Sequence, residues 1–520
     1  MPINPIDIIA PGHWGLNTEN SESLLNPNWA TVALNCVVNR SQRLAARKGW
    51  VDQTTAAVAG AADIVHMHEG FFQDGTTQVL SVSNSEVFTG ITDFTAGDLT
   101  PVSLSTMDVM FLNFNNEVVM IGDGATPDVY TGTGTFTSPT FTGTAPTGNV
   151  GHAAFGRLWV LDSDSTAQVI RYSALLDGTD WSTANGGGTI NMTSLWTQGT
   201  DRVRAISSVG ATLVVFGERH IVLFEDGTGS DIGLTPSRLQ VVDVVEGTGC
   251  IARDSVQQTG EGDLIYLSEH GLQSLGRVIE SKSNPTISIT KNVREDFLLS
   301  MATTKTADDD LSTVKSTFNY DEGLFIINFP TSDIMYVFDF AHPFQDETGE
   351  INVPCTTWQV GGEIQSLLSR RNGDLLFGTG IGTVGLYGGS NLDDEATYSF
   401  NYSSGWLDFG PQMNHKLKML KQLVTTILVG SQTITYYWEF DYSGQTLSRA
   451  FTYTSTTQAE FNDAEFNIEE FSGGLKLTRK ALPAHGEGQF LKLGCSATIS
   501  ASDLVLQQYS IAADIGRMVT

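Results

Sequence analysis

The chain has 520 residues, of which 40% are hydrophobic, 9% aromatic and 17% charged, and 53 are glycine. At this length a sizeable core is easily built, so two or three domains or one large closed array of repeats is expected, and long Glu/Lys-rich helices are missing. The 58 acidic against 28 basic residues give a formal charge of −30, which argues against a protein that grips nucleic acid by neutralising phosphates with Lys and Arg.

Residues 1–58 carry Pro2, Pro5, Pro11 and Pro27 with Gly12 and Gly15, a pattern of extended segments and turns. An extended platform or docking segment is expected here, not an independent core. No basic region opens it, and no apolar run in the chain approaches the roughly 18 residues of a membrane helix, so a soluble protein without a membrane span is expected. The segment ends in a basic cluster, Arg40, Arg43, Arg47 and Lys48, set against an acidic remainder. These four are candidate assembly contacts, with a plain solvated face as the competing reading.

From Asp63 onward a two-strand motif recurs, each copy an alternating apolar strand, a turn rich in Gly, Asn or Asp, and a second strand. The copies run from Asp63–His68 with Gln78–Val82, through Met107–Phe114 with Glu117–Ile121, to His152–Phe155 with Arg157–Leu161. Val203–Val209, Thr212–Phe216 and His220–Phe224 follow, then Asp263–Leu267 with Gly271–Leu275. Lys315–Tyr320 with Leu324–Phe329 and Gln365–Ser369 with Asp374–Phe377 complete the series. Asn115-Asn116 tolerates the positive φ that a tight hairpin demands. Spacing of about 40 to 60 residues is that of a four-strand propeller blade with inserted loops. An all-β chain is expected, with a β-propeller of about six or seven blades over residues 59–396 and a sandwich of two sheets as the competing architecture.

Two low-complexity stretches, Thr131 to Thr147 and Ser182 to Ser194, read as surface loops. One helical signal, Lys291 to Met301, is expected to cap or bridge blades. Near Tyr398 the texture changes to longer strands, Gln422–Leu428, Gln432–Phe440, Lys476-Leu477 and Gln489–Leu493, so residues 397–520 are expected to form a second, sandwich-like β domain. Lys416, Lys418 and Lys421 at its start are further candidate assembly contacts.

Signals for chemistry are sparse. Cys36, Cys250, Cys355 and Cys495 have no CxxC spacing and read as reduced structural thiols. No GxSxG, HExxH or P-loop motif occurs, so no catalytic residue, metal or cofactor is assigned and an enzyme is not expected. His66 and His68 share a strand face but lack a third metal ligand. Asp308-Asp309-Asp310 lacks the alternating ligand spacing of a calcium loop and reads as a solvated turn. Trp181, Trp196 and Trp358 are candidate sugar-stacking residues in the alternative reading, a propeller glycosidase or carbohydrate-binding protein; a soluble interaction scaffold is a third.

The segment Val169-Ile170-Arg171-Tyr172-Ser173 with Asp177-Gly178-Thr179-Asp180-Trp181 fits poorly with the Asp box of sialidases. It resembles a segment of the propeller-type tail nozzle (hub or stabilisation) proteins of short-tailed bacteriophages. Leu24-Leu25-Asn26-Pro27-Asn28-Trp29-Ala30, Leu34-Asn35-Cys36 and Arg47-Lys48-Gly49-Trp50 are similar to the stretch that precedes the first blade there, and Phe155–Val160 and Phe216–Ile221 look similar too. The resemblance extends in texture over residues 8–390. It implies a virion protein of the phage tail, made in the host cytoplasm and assembled as a homo-hexamer below the portal and adaptor. Such a ring extends the DNA channel, retains the genome and lets it leave, and tail fibres, tailspikes, a plug or a needle dock on some of its relatives. DNA would pass without specific binding, which an acidic lumen suits.

Overall fold

The protein was analysed as a computed structural model, which describes residues 6–95, 98–99, 104–122, 124–163, 168–196, 199, 201–226, 239–280, 288–408, 415–429, 432–453, 477–500 and 503–517. The chain is all-β, and the longest helix among the described residues is Arg294–Ala307. Antiparallel hairpins generate the sheets wherever the sequence alternates apolar and polar residues between turn residues. Asn115 and Asn116 take φ values of 49° and 68°, closing Val109–Phe114 onto Glu117–Gly122 with Phe114 opposite Glu117. Phe155 and Gly156, at 55° and 68°, close the next hairpin in the same way. Two positive φ angles in succession match the twist of the flanking strands, a conformation that Asn accepts and β-branched residues resist. Asn116→Val is therefore expected to cost about 1–2 kcal/mol with the fold retained, read as a shift of the urea midpoint.

Among the described residues, seven sheet units follow one another along residues 50–387. They begin at His66–Phe71, Val109–Phe114, Gly151–Ala154, Val203–Val209, Gln257–Gln258, Lys315–Asn319 and Ile364–Ser369. Their leading strands touch in cyclic order, save that the fourth meets the turn Arg253–Ser255 just before the fifth, and Ile364–Ser369 returns to His66–Phe71. Apolar side chains fill the spaces between neighbours. Leu80, Val82, Phe111 and Val118 pack between the first two units, Trp159, Ile170, Val215 and Val222 between the third and fourth, and Ile64, Val79, Leu376 and Val384 where the seventh meets the first. Each unit is too thin to bury both faces alone, so the cores sit between units and the array holds together only as a whole.

The seventh unit takes its fourth strand from far away in the sequence. Trp50–Asp52 pairs antiparallel with Val384–Tyr387, with Trp50 opposite Tyr387. The Arg-Lys-Gly-Trp element, in the stretch whose resemblance implied a place before the first blade, thus enters the last unit of the series. A sheet edge that would otherwise be open is covered by the start of the chain. The other early strands go elsewhere. Ala30–Leu34 lies between Cys355–Trp358 of the sixth unit and Tyr398–Asp408, which makes one nine-stranded sheet continue past residue 396 to Leu447–Tyr453. Ile6–Ile9, Cys36–Val38 and Leu44–Ala46 join His415–Val429, Leu477–Pro483 and Leu504–Arg517 in a six-stranded sheet. One apolar cluster gathers side chains of both sheets, Ile434, Tyr436, Trp438 and Leu493 from one, Leu423, Tyr509 and Ile511 from the other. The strands of residues 6–58, part of the segment 1–58 expected as a platform, are thus distributed among three sheets.

Two local expectations need correction, and a third, the loop Thr131 to Thr147, is borne out. Ser182 to Ser194 is not a free loop: Gly188–Asn191 is the fourth strand of the third unit, and Met192 is fully buried beside Trp159. Thr131 to Thr147 stays irregular but is pinned, because Phe136 is 2% exposed and stacks on Tyr130 at 5.3 Å. The helix begins three residues later and ends six residues later than the charged and apolar pattern indicated, and its buried Phe297 meets Tyr336 edge-on at 4.9 Å.

Candidate functional site

Two buried polar clusters and a set of exposed cations are the candidates. The first cluster forms around Arg47, which is 1% exposed. Its guanidinium grips Asp393 through both terminal nitrogens, at 2.7 and 2.6 Å. Nε donates to Asn35 Oδ1 at 3.0 Å, and the remaining donors reach the carbonyls of Lys48 at 2.9 Å and Gln359 at 3.0 Å. All five N–H groups are satisfied, as a buried guanidinium requires. Tyr398 lies beneath, its ring centroid 4.1 Å away, and its hydroxyl donates to the Arg47 carbonyl. Asn35, at φ 56°, accepts from the Gln359 amide and donates to the Ser399 carbonyl. Trp358 Nε1 and Thr356 Oγ1 both donate to the Cys36 carbonyl at 2.8 Å. This clasp ties the chain start to the sixth and seventh units and to Tyr398–Asp408.

Arg47 therefore cannot meet a partner, and its assignment as an assembly contact is corrected: its charge is spent inside the fold. Lys48 is exposed and pairs with Glu322 at 2.5 Å. Arg40 is exposed on the turn after Cys36–Val38. Arg43 is half-buried and bonds Gln507 Oε1 at 3.3 Å. Lys421 is exposed and pairs with Asp514 at 2.8 Å. Lys416 and Lys418 lie on His415–Val429, and their side chains are outside the described residues. The structure does not bring the two basic groups into one patch through any hydrogen bond or ion pair between described residues.

The second cluster occupies the middle of the cycle, where the leading strands converge. Arg253 pairs with Asp254 at 2.7 Å and Asp108 at 2.8 Å and donates to the Asn149 carbonyl at 3.0 Å. Asp254 also receives Lys315 Nζ at 2.5 Å. Burial opposes the Asp254 charge, but Arg253 and Lys315 overcome it and hold the carboxyl far below the usual range. Units two, three and six are joined by this network to the turn before the fifth. His66 sits close enough to feel Lys315 and Asp254, and burial above all lowers its pKa to about 3. His68 is lowered to about 4 by burial, and the two rings stack on Phe111 at 5.6 and 5.8 Å. His152, also lowered by burial to about 4, bonds Ser208 at 2.9 Å across the third and fourth units. The histidines are neutral packing groups. Among the described residues no group of three or more His, Cys, Asp or Glu is placed to hold a metal.

The remaining sequence candidates resolve as structural. Asp310 receives Arg202 and Arg204, both at 2.9 Å, and Asp308 accepts from Thr313 and Ser312. Trp181, Trp196 and Trp358 are 5%, 7% and 0% exposed, so none offers a face to a sugar. In the Val169 to Trp181 segment, Asp177 caps Thr179 and Asp180 accepts from Ser182 and Asn185, which shapes the approach to the fourth strand. The four cysteines are buried and unpaired with one another, and burial raises Cys250 to about 11.

No family model matches the chain, and no curated protein matches it. Solved structures that align with the chain include the WD40 β-propeller domain of Doa1, at 10% identity over 66% of this chain and 97% of that one, TM-score 0.35. An extracellular domain of a one-component system from B. thetaiotaomicron aligns at 9% identity over 72% of this chain, TM-score 0.29, and the chain spans only 43% of that protein. The exo-β-1,3-galactanase of Phanerochaete chrysosporium aligns at 8% identity over 79% of this chain and 96% of that one, TM-score 0.27. These TM-scores carry no argument about function.

Proposed function

We propose that the chain is a non-catalytic virion protein, a subunit of the tail nozzle ring of a short-tailed bacteriophage. In this reading the seven units are the blades of a β-propeller closed by Trp50–Asp52, and the strands after residue 396 form a sandwich-like second domain. The observation that carries it is the clasp around Arg47. The segment bearing much of the sequence resemblance is spent on locking the chain start into three sheets, which suits a part that bears load more than one that opens to admit a substrate. The strong negative charge supports the same reading, because an acidic lumen lets a polyphosphate slide without being held. Six copies around a common axis would repeat one heterologous interface. Exposed Arg40, Lys48 and Lys421 are suited to tune the rate and register of that contact, with a neighbour or with an acidic portal or adaptor surface.

Electron microscopy and mass photometry of the purified chain test this: six-fold rings with a central hole are expected. A chain that stays monomeric at micromolar concentration, alone and with a portal–adaptor assembly, would overturn it. Reversing Arg40 and Lys48 to Glu is expected to weaken assembly about tenfold or less at low salt, the size of a rim-charge effect, while leaving the melting temperature within about a degree. Unchanged assembly in the double variant would remove these residues from the interface.

A further inference from the structure

A cleft of about 680 Å³ opens where the first, second, sixth and seventh units converge, lined by His68, Phe71, Asn113, Tyr320, Asp321 and the turn Ser369–Gly373. Its size is within the range of small-ligand sites. The charges around it balance. Glu69 is satisfied by Arg370 Nε at 3.1 Å and the Arg371 amide at 2.8 Å. That leaves the Arg371 guanidinium, which lies over Phe71 at 5.9 Å, and the Asp321 carboxylate, neither forming an ion pair with a described residue. Tyr320 is 62% exposed and presents its ring at the rim, steadied by its hydroxyl bond to the Gln258 carbonyl at 3.0 Å and by Phe318 at 5.0 Å. His68 Nε2 and Ser369 Oγ, in the wall behind these groups, are shut off from solvent and so stay out of a ligand's reach.

We infer that this cleft is a saccharide-binding site for a neutral sugar ring. A pyranose presents an apolar face and a rim of hydroxyls. Tyr320 supplies the face, and Asp321 and Arg371 supply an acceptor and a forked donor for adjacent hydroxyls. A phosphate or carboxylate ligand suits the cleft less, since Asp321 and Glu69 offset the two arginines. The site stands independently of ring assembly, because its residues come from the propeller units and none belongs to the clasp.

A glycan array probed with the full chain tests it, followed by titration of the retained glycans by saturation-transfer NMR. Saturable binding of neutral glycans is expected, weakened about tenfold to a hundredfold by Arg371→Ala, since hydrogen bonds to charged groups are at stake. Tyr320→Ala is expected to weaken binding about three- to tenfold through lost stacking. Arg219→Ala, at an exposed arginine remote from the cleft, should bind as the parent does. Retention of no glycan, retention only of sulfated or uronic glycans, or binding indifferent to both cleft substitutions would each overturn the assignment. Unfolding curves for both variants are expected to match the parent, because Arg371 and Tyr320 are exposed.

Discussion

Arg47→Ala is expected to destabilise the protein by about 3–5 kcal/mol, because it leaves the Asp393 carboxylate buried without its counter-charge. The loss would extend beyond one ion pair. Without the guanidinium, the Lys48 and Gln359 carbonyls and the buried Asn35 Oδ1 each lose a donor. Arg47→Lys should rescue little, since an ammonium cannot supply the planar fork that meets both carboxylate oxygens. Urea unfolding followed by tryptophan fluorescence would report the change, with Trp50 and Trp358 close to the site. Coupling between Arg47→Met and Asp393→Leu should appear as a double variant less damaged than the two singles summed, by about 0.5–3 kcal/mol. A midpoint unmoved by Arg47→Ala would show that the clasp does not hold the array shut. Lys48→Glu at the neighbouring residue provides the contrast: its pair with Glu322 is exposed and worth at most about 1 kcal/mol.

Acidification from pH 7 to pH 4 is expected to weaken the fold steeply, and the histidines of the central cluster set the window. His66, His68 and His152 have folded pKa values of about 3, 4 and 4, all below the unfolded value near 6.5. Between those limits the unfolded chain binds protons that the folded chain refuses, so stability rises with pH there and is fully present above about pH 6.5. Each such histidine contributes a slope of up to about 1.4 kcal/mol per pH unit. Asp254 acts lower down. Its folded pKa is depressed, so its contribution is complete above about pH 4 and fades below. The denaturation midpoint measured every half pH unit from 8 to 4 should therefore fall mainly below pH 6.5. His68→Gln should flatten the profile, because glutamine does not titrate. A profile flat to pH 4.5 would refute the lowered titration of these rings.

The hairpins were legible because a hairpin is a local object. Val109–Phe114 and Glu117–Gly122 lie on either side of Asn115-Asn116, and alternation plus two residues tolerant of positive φ define both strands and their register. The same holds for Lys315–Asn319 with Leu324–Phe329, and for the long strand Gln432–Phe440, whose even-numbered residues from Gln432 to Phe440 are all buried. Gly188–Asn191 was hidden by the glycine run Gly186-Gly187-Gly188 that opens it. Its place as a strand comes from pairing with Val169–Tyr172, and nothing in its own apolar pattern reveals it.

Of the candidate site residues, composition identified the cations but not their fate. Arg40, Arg43, Arg47 and Lys48 look alike as a charge cluster, yet Arg47 turns inward and Lys48 outward, since Asp393 lies 346 positions away and meets only the former. The cleft was invisible for the same reason: His68, Asn113, Tyr320 and Arg371 belong to four different units and converge only after the cycle closes. The sequence by itself determined the all-β class, the hairpin series and the negative charge, all of which depend on neighbouring residues or on sums. Tertiary structure alone decided which strand completes the last unit, which arginine is buried and where polar groups gather. Those outcomes depend on long-range pairing, such as Trp50 with Tyr387, which arises from the packing of whole sheets and leaves no periodic trace in either segment.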